Sequence, residues 1–182
     1  MYHDRGRAIS IGLLLLTLIF GSPAAVLSQG ECNIVGTPLV TTGDISPGDP
    51  DQTLRLFRDG RNTTCLFNRT PTTAGTGTYD FDQYTFTNTE VGPVCVQVDL
   101  DATGCGVATN QIGMAAYLGT YNPTSILTNL IADPGLSTGG NLATSMSFSV
   151  AAGATYVIVV HGINPAITCP SYTFRRTHKR LP

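Results

Sequence analysis

Tryptophan is absent from this chain, histidine occurs three times, and charged residues fill only 12% of its 182 positions. Each shortage removes a class of function. Without tryptophan, a sugar-stacking platform would have to be built from tyrosine or phenylalanine. His161 is the one histidine in the body of the chain and no H-E-x-x-H is present, so a catalytic zinc site lacks its usual ligands. No C-x-x-C occurs, which leaves thioredoxin-like and zinc-ribbon chemistry without support. No glycine-rich loop opens a helix to cradle phosphate. Beyond residue 28 no apolar run approaches the roughly 20 residues that span a bilayer as a helix. From residue 29 onward there are eleven acidic and eight basic residues, and four of the eight basics fall within 175–182. The body is therefore acidic, which argues against nucleic acid and anionic membrane as its partners.

The N-terminus is built differently. Arg5 and Arg7 form a short basic region, Ala8 to Phe20 is apolar, and Gly21 to Ser28 supplies small residues and a proline. That pattern reads as a secretory signal over 1–28, with cleavage expected after Ser28. Export makes disulfides the natural use for the five cysteines, Cys32, Cys65, Cys95, Cys105 and Cys169. Two bonds among five cysteines allow fifteen pairings. Cys95 and Cys105 flank one strand end and its loop and are the expected pair, worth about 3 kcal/mol by loop closure. The partners of Cys32, Cys65 and Cys169 stay open.

Along the rest of the chain, apolar residues recur at every second position. Val94, Val96, Val98 and Leu100 share a face; so do Ile112, Met114, Ala116 and Leu118, and so do Met146, Phe148 and Val150 against Ser145, Ser147 and Ser149. Period-two alternation means half-buried strand. Thr155 to Val160 is β-branched and aromatic, and with Gly153 as the turn it reads as the hairpin partner of 146–150. Thr53 to Phe57, the turn Asp59-Gly60 and a return strand over 61–66 read as another hairpin. Phe81 to Asn88 adds a strand, Asn129 to Asp133 a short one, Asn122-Pro123 a single helical turn, and Ser171 to Arg175 the last strand. Cys32 to Pro50 reads as a loop or lone edge strand. Eight or nine short strands make an all-β, antiparallel jelly-roll-like sandwich. The segments are a signal over 1–28, a loop or edge segment over 29–51, the sandwich over 52–174, and a solvated basic tail over 175–182.

Tyr79-Asp-Phe-Asp-Gln-Tyr-Thr-Phe86, Phe148-Ser-Val-Ala-Ala-Gly-Ala-Thr-Tyr156-Val-Ile-Val-Val160 and Cys169-Pro-Ser-Tyr172-Thr-Phe174 together resemble a bacterial pre-peptidase C-terminal domain. These are secreted jelly-roll-like sandwiches related to collagen-binding modules. The resemblance covers roughly 52 to 174 and implies a non-catalytic accessory domain of the exported proteome. It also implies a calcium site, since some relatives bind calcium through carboxylates near D-x-D and ahead of the first strand. The matching residues here are Asp80, Asp82, Asp44, Asp49 and Asp51. Alternation puts Asp80 and Asp82 on the inward side with Tyr84 and Phe86, where a carboxylate needs a partner. That partner is a calcium ion, backbone N–H groups of a turn, or one of Arg55, Arg58 and Arg61. Asp99 and Asp101 fall on the solvent side.

Gly135-Leu-Ser-Thr-Gly139 matches G-x-S-x-G, which carries mechanism only where a strand turns into a helix. It sits here in a Pro/Gly-rich loop, with no acidic residue between Ser137 and His161. Tyr79, Tyr117 and Tyr121 read as packing residues rather than a stacking platform. The expected function is that of a secreted binding or adhesion module without catalysis, meeting an extracellular protein or polysaccharide through its loops. The alternatives are a small secreted serine hydrolase using Ser137, or a fragment of a longer exported hydrolase.

Overall fold

A computed structural model describes residues 34–106, 111–138 and 143–181. Residues 1–28, read above as a signal, and Cys32 lie outside the described residues. Among the described residues nine strands run β1 (Ile34–Ile45), β2 (Asp51–Leu56), β3 (Thr73–Thr87), β4 (Val94–Asp101), β5 (Ile112–Leu118), β6 (Leu130–Ala132), β7 (Ala143–Val150), β8 (Thr155–Gly162) and β9 (Cys169–Arg180). They form two antiparallel sheets, one ordered β1-β9-β4-β7 and the other β2-β3-β8-β5-β6. The result is an all-β sandwich.

The alternation read from the sequence does set the faces. Val94, Val96, Val98 and Leu100 are buried between the sheets with Met146, Phe148, Val150, Ile112, Met114 and Ala116. Leu118 departs from this: it ends β5 and is 46% exposed. A second apolar layer covers the outer face of the five-stranded sheet. There Phe81, Ala115, Tyr117, Val157 and Val159 pack beneath Ile126 and Tyr121 of the 119–129 connection. Tyr79 and Tyr117 are buried, so the tyrosines pack as expected.

Five expectations need correction. The strands on either side of Ala151–Ala154 are not a hairpin: β7 pairs with β4, whereas β8 pairs with β3 and β5. The connection crosses from one sheet to the other. Strand β8 is apolar on both faces and so needs the centre of a covered sheet, while the serine face of β7 suits an outer wall. Buried Asn88 holds the crossing by donating from Nδ2 to the carbonyls of Gly92, Val150 and Ala151 at 3.0–3.1 Å.

At Asp59-Gly60 the chain only bends, with Asp59 Oδ1 accepting from the Arg61 N–H at 3.0 Å, and neither the hairpin turn nor its return strand forms. Instead β2 pairs with the first half of β3, and 57–72 is a long connection. Cys95 does not bond Cys105. Cys95 starts β4 and Cys105 follows its far end, so about 20 Å of extended chain separates them. The disulfides are Cys65–Cys95 and Cys105–Cys169, with Cα separations of 5.7 and 4.2 Å. They close loops of 30 and 64 residues, which the chain-entropy account values at about 4 kcal/mol each. Finally, 175–180 is no tail. It continues β9, paired with both β1 and β4. The segment Asn122–Leu127 makes two successive turns, Ser125 N–H to Asn122 C=O and Thr128 N–H to Ser125 C=O, rather than a helix.

Candidate functional site

Functional groups collect at three places: the end of the sandwich near Ile45, the 57–72 connection, and the opposite end near Arg180.

At the first end, strand alternation does point Asp82 inward with Tyr84. Its partners are neither arginine nor a turn. Tyr172 Oη donates to Asp82 Oδ2 at 2.6 Å, Tyr84 Oη reaches the same oxygen at 3.3 Å, and the two hydroxyls lie 2.8 Å apart. Burial pushes the Asp82 carboxyl above its ordinary range, against the pull of the Tyr172 hydroxyl, and repulsion from Asp49 and Asp44 adds to the rise. Strand β1 crosses directly over this group at Gly43, which pairs with Tyr172. A Cβ there would strike the hydroxyls of Tyr84 and Tyr172.

Asp80 stands opposite Asp51 across β2 and β3. Burial and a carboxyl–carboxyl hydrogen bond to Asp51 raise its pKa, with Asp49 adding charge. Asp49 itself is committed locally, accepting from the Ser46 N–H at 2.7 Å. The five aspartates therefore share a neighbourhood without converging. Among the described residues no three acidic, histidine or cysteine side chains form a metal-ligating group. The carboxylates as placed do not fit the six or more oxygens that calcium takes. Asp99 and Asp101 lie on the outer side of β4, as alternation implies.

The 57–72 connection is organised by Arg69, a residue that no sequence pattern singled out. Its guanidinium meets Asp133 at 2.7 Å and Asp59 at 3.2 Å, and its side chain is only 5% exposed. It also donates to the Arg61 and Phe57 carbonyls at 2.9 and 3.3 Å. Burial pushes Asp133 up to about 6, with Arg69 pulling the other way. Gly60 N–H bonds the Gly135 carbonyl and Thr63 N–H the Asp133 carbonyl. Gly135 lies at φ 63° against the Arg61 backbone, where any Cβ would collide. A connection this firmly held nevertheless exposes Phe57, Leu66 and Phe67.

Beside it, Arg58 Nη1 bonds the Ser137 hydroxyl. Gly139, the last residue of the G-x-S-x-G match, lies outside the described residues. His161 ends β8 beside Val157 and Val159, as read from the sequence, but is fully rather than half buried. Its Nδ1 donates to the Gly162 carbonyl at 2.8 Å. In a serine triad an acidic side chain holds that position. Burial, aided by Arg55 and Arg58, lowers the imidazole to about 4, so it is neutral at pH 7.

At the opposite end, alternation carries Arg176 and His178 of β9 inward. The Arg176 guanidinium lies 4.3 Å from the centre of the Phe86 ring, and Nη1 donates to Tyr156 Oη at 2.6 Å. That hydroxyl lies 3.2 Å from His178 Nε2. Burial first, then Arg176, lowers the His178 pKa.

The segments Tyr79–Phe86, Phe148–Val160 and Cys169–Phe174 thus meet between the sheets. Asp82 and Tyr84 join Tyr172 at one end, and Phe86 packs on Tyr156 and Phe174 toward the other. Among the described residues no helix is long and apolar enough to cross a membrane. No protein-family model matches this sequence, and no curated protein matches it.

Proposed function

We propose that this chain is a secreted, non-catalytic binding or adhesion module, a pre-peptidase C-terminal-like accessory sandwich that meets an extracellular protein or polysaccharide through its loops. The observation that carries the reading is the 57–72 connection. Its backbone is held by a buried Arg69–Asp133 pair, two backbone bonds to the 133–135 loop and the Cys65–Cys95 disulfide, yet it turns large apolar side chains to solvent. A loop ordered in advance loses little entropy on binding, and exposed apolar groups on it supply contact area. The two disulfides fit an oxidising compartment, in keeping with export.

Retention of the purified protein on immobilised gelatin, cellulose, chitin and peptidoglycan tests this. Wild type is expected to bind at least one matrix, and a Phe57→Ser/Phe67→Ser variant to bind it less. Retention on none of them, or retention indifferent to the loop, removes the reading. The hydrolase reading is addressed by labelling with a serine-reactive phosphonate. No adduct at Ser137 is expected, because His161 is oriented by a backbone carbonyl and Arg58 occupies the hydroxyl.

A further inference from the structure

Two adjoining grooves open at the Arg180 end of the sandwich. One, of about 250 Å³, is lined by Leu66, Lys179, Arg180, Leu181 and the two cysteines of the Cys65–Cys95 disulfide. The second, of about 390 Å³, continues past the shared Arg180 and Leu181 and is lined by Val35, Val91 and Pro93. Among the described residues its one acidic lining residue is Glu90, and no carboxylate lines the first groove.

The residues lining the first groove are fixed by bonds of their own. Leu66 is 86% exposed, on a hairpin closed by reciprocal 3.0 Å backbone bonds between Thr64 and Phe67. Ser147 Oγ accepts from the Cys65 N–H at 3.3 Å, and Ser147 N–H donates to the Thr63 carbonyl at 3.0 Å. Lys179 lies opposite Cys95 in the β4–β9 register and donates to Gln97 Oε1 at 2.6 Å. Among the described residues neither Lys179 nor Arg180 makes an ion pair; the only ion pairs are those of Arg69.

We propose that this groove binds an extended peptide segment of a partner protein in which a carboxylate neighbours a bulky aliphatic side chain. The carboxylate meets Lys179 and Arg180, and the aliphatic group lies between Leu66, Leu181 and the disulfide. The proposal rests on the reading of the chain as a binding module and names one surface and one partner chemistry for it. Two cations without an acidic partner among the described residues set the sign of the ligand. Among the described residues no aromatic ring lines the first groove, so they offer a sugar nothing to stack on there. The remaining surface is acidic, with eleven acids against eight bases from residue 29 onward, so a flat anionic bilayer would be repelled where a narrow peptide would not.

Fluorescence anisotropy with labelled synthetic peptides decides it. The probes are an alternating Glu/Leu peptide, a Lys/Leu peptide, a Glu/Ser peptide and a Ser/Leu peptide. The Glu/Leu peptide is expected to bind and to weaken with salt. Lys179→Glu/Arg180→Glu lowers its affinity at least ~tenfold, about 1.4 kcal/mol, and confers binding of the Lys/Leu peptide. Leu66→Ser costs several-fold while leaving the disulfides and circular dichroism unchanged, since the side chain is in solvent. Absence of Glu/Leu binding overturns the proposal. So does equal binding of the Glu/Ser peptide, or indifference to the charge reversal. Cosedimentation of wild type with phosphatidylserine vesicles, undisturbed by the Glu/Leu peptide, would make the cations a membrane contact and also overturn it. If the peptides fail while the protein is still retained on a matrix, the groove is lost and the module reading survives.

Discussion

The two ends of the sandwich face the same difficulty with opposite charge. Near Ile45 a carboxylate, Asp82, is drawn into the space between the sheets; near Arg180 a guanidinium, Arg176, is drawn in the same way. Both arrive there because alternation turns every second residue of β3 and β9 inward, whatever its charge. The solutions differ with the sign. The anion is held by two hydroxyl donors, Tyr172 and Tyr84, and roofed by a glycine. The cation lies on the face of Phe86 and shares the Tyr156 hydroxyl with His178. A carboxylate needs donors aimed at specific oxygens, so its cage is tight and intolerant of volume. A guanidinium accepts a diffuse aromatic surface, so its seat is looser. Aromatic residues serve both, through their edges at one end and their faces at the other.

The sharpest way to break this comparison is Gly43→Ala. The added methyl meets both tyrosine hydroxyls, and the expected cost is about 3 kcal/mol, read as a lower urea midpoint with an unchanged slope. Tyr172→Phe keeps the ring and removes the closest donor to Asp82. Loss of a hydrogen bond to a charged group predicts about 2 kcal/mol. Arg176→Met, at the other end, keeps the aliphatic stem and loses the cation–aromatic contact and one hydrogen bond. About 1 kcal/mol is expected. Equal losses at the two ends, measured in the same denaturant series, would show that the carboxylate cage is no tighter than the guanidinium seat.

How much of this was legible in the sequence follows from which forces are local. The faces of β4, β5 and β7 could be read directly, because alternation alone decides which side of a half-buried strand is apolar. The inward placement of Asp82 beside Tyr84 came from the same rule. Its partner did not, since Tyr172 lies ninety residues away on β9. The supposed hairpin of β7 and β8 failed because a glycine turn between two strands looks alike whether the chain folds back in one sheet or crosses to the other. The apolar double face of Thr155–Val160 was the cue that it belongs in a sheet centre. Asp59-Gly60 bends the chain without closing a hairpin, and the path beyond it is decided by Arg69 gripping Asp133, a contact between distant loops with no periodic signature. Charge at 175–180 suggested a solvated end. Only the aromatic residues Phe86 and Tyr156, on other strands, make an inward arginine tolerable there. Cysteine pairing likewise depends on which strand ends meet.

Acid should separate the two ends by sign. Asp82 has a folded pKa raised above its ordinary 3.8. Its contribution is therefore complete below that value and is lost as pH rises through the folded one. His178 has a folded pKa lowered from 6.5. Its contribution is present above 6.5 and is lost as pH falls toward the folded value. Subtracting variants isolates each group from the other titrating residues. As pH falls from neutrality toward 4, the stability of wild type relative to Asp82→Asn should rise, and relative to His178→Gln it should fall. Two slopes of the same sign in chemical denaturation would contradict the environments assigned to one of the two groups.

The smallest effect expected is that of calcium at the acidic end. Asp82 is spent on two hydroxyls, Asp80 faces the Asp51 carboxyl, and Asp49 caps the turn at Ser46. A bound ion would have to pull these groups off existing partners before gaining its own oxygens, so net stabilisation by linkage should be slight. The melting temperature is expected to be the same in chelator and in millimolar calcium. A rise of several degrees would mean that the aspartates rearrange into a ligand set. Asp82 would then release Tyr172, and Tyr172→Phe should become less costly in calcium than without it. That pairing of measurements ties the ion to the cage: the metal and the tyrosine hydroxyls compete for one carboxylate, so the more stabilising calcium proves to be, the less the hydroxyl of Tyr172 can matter.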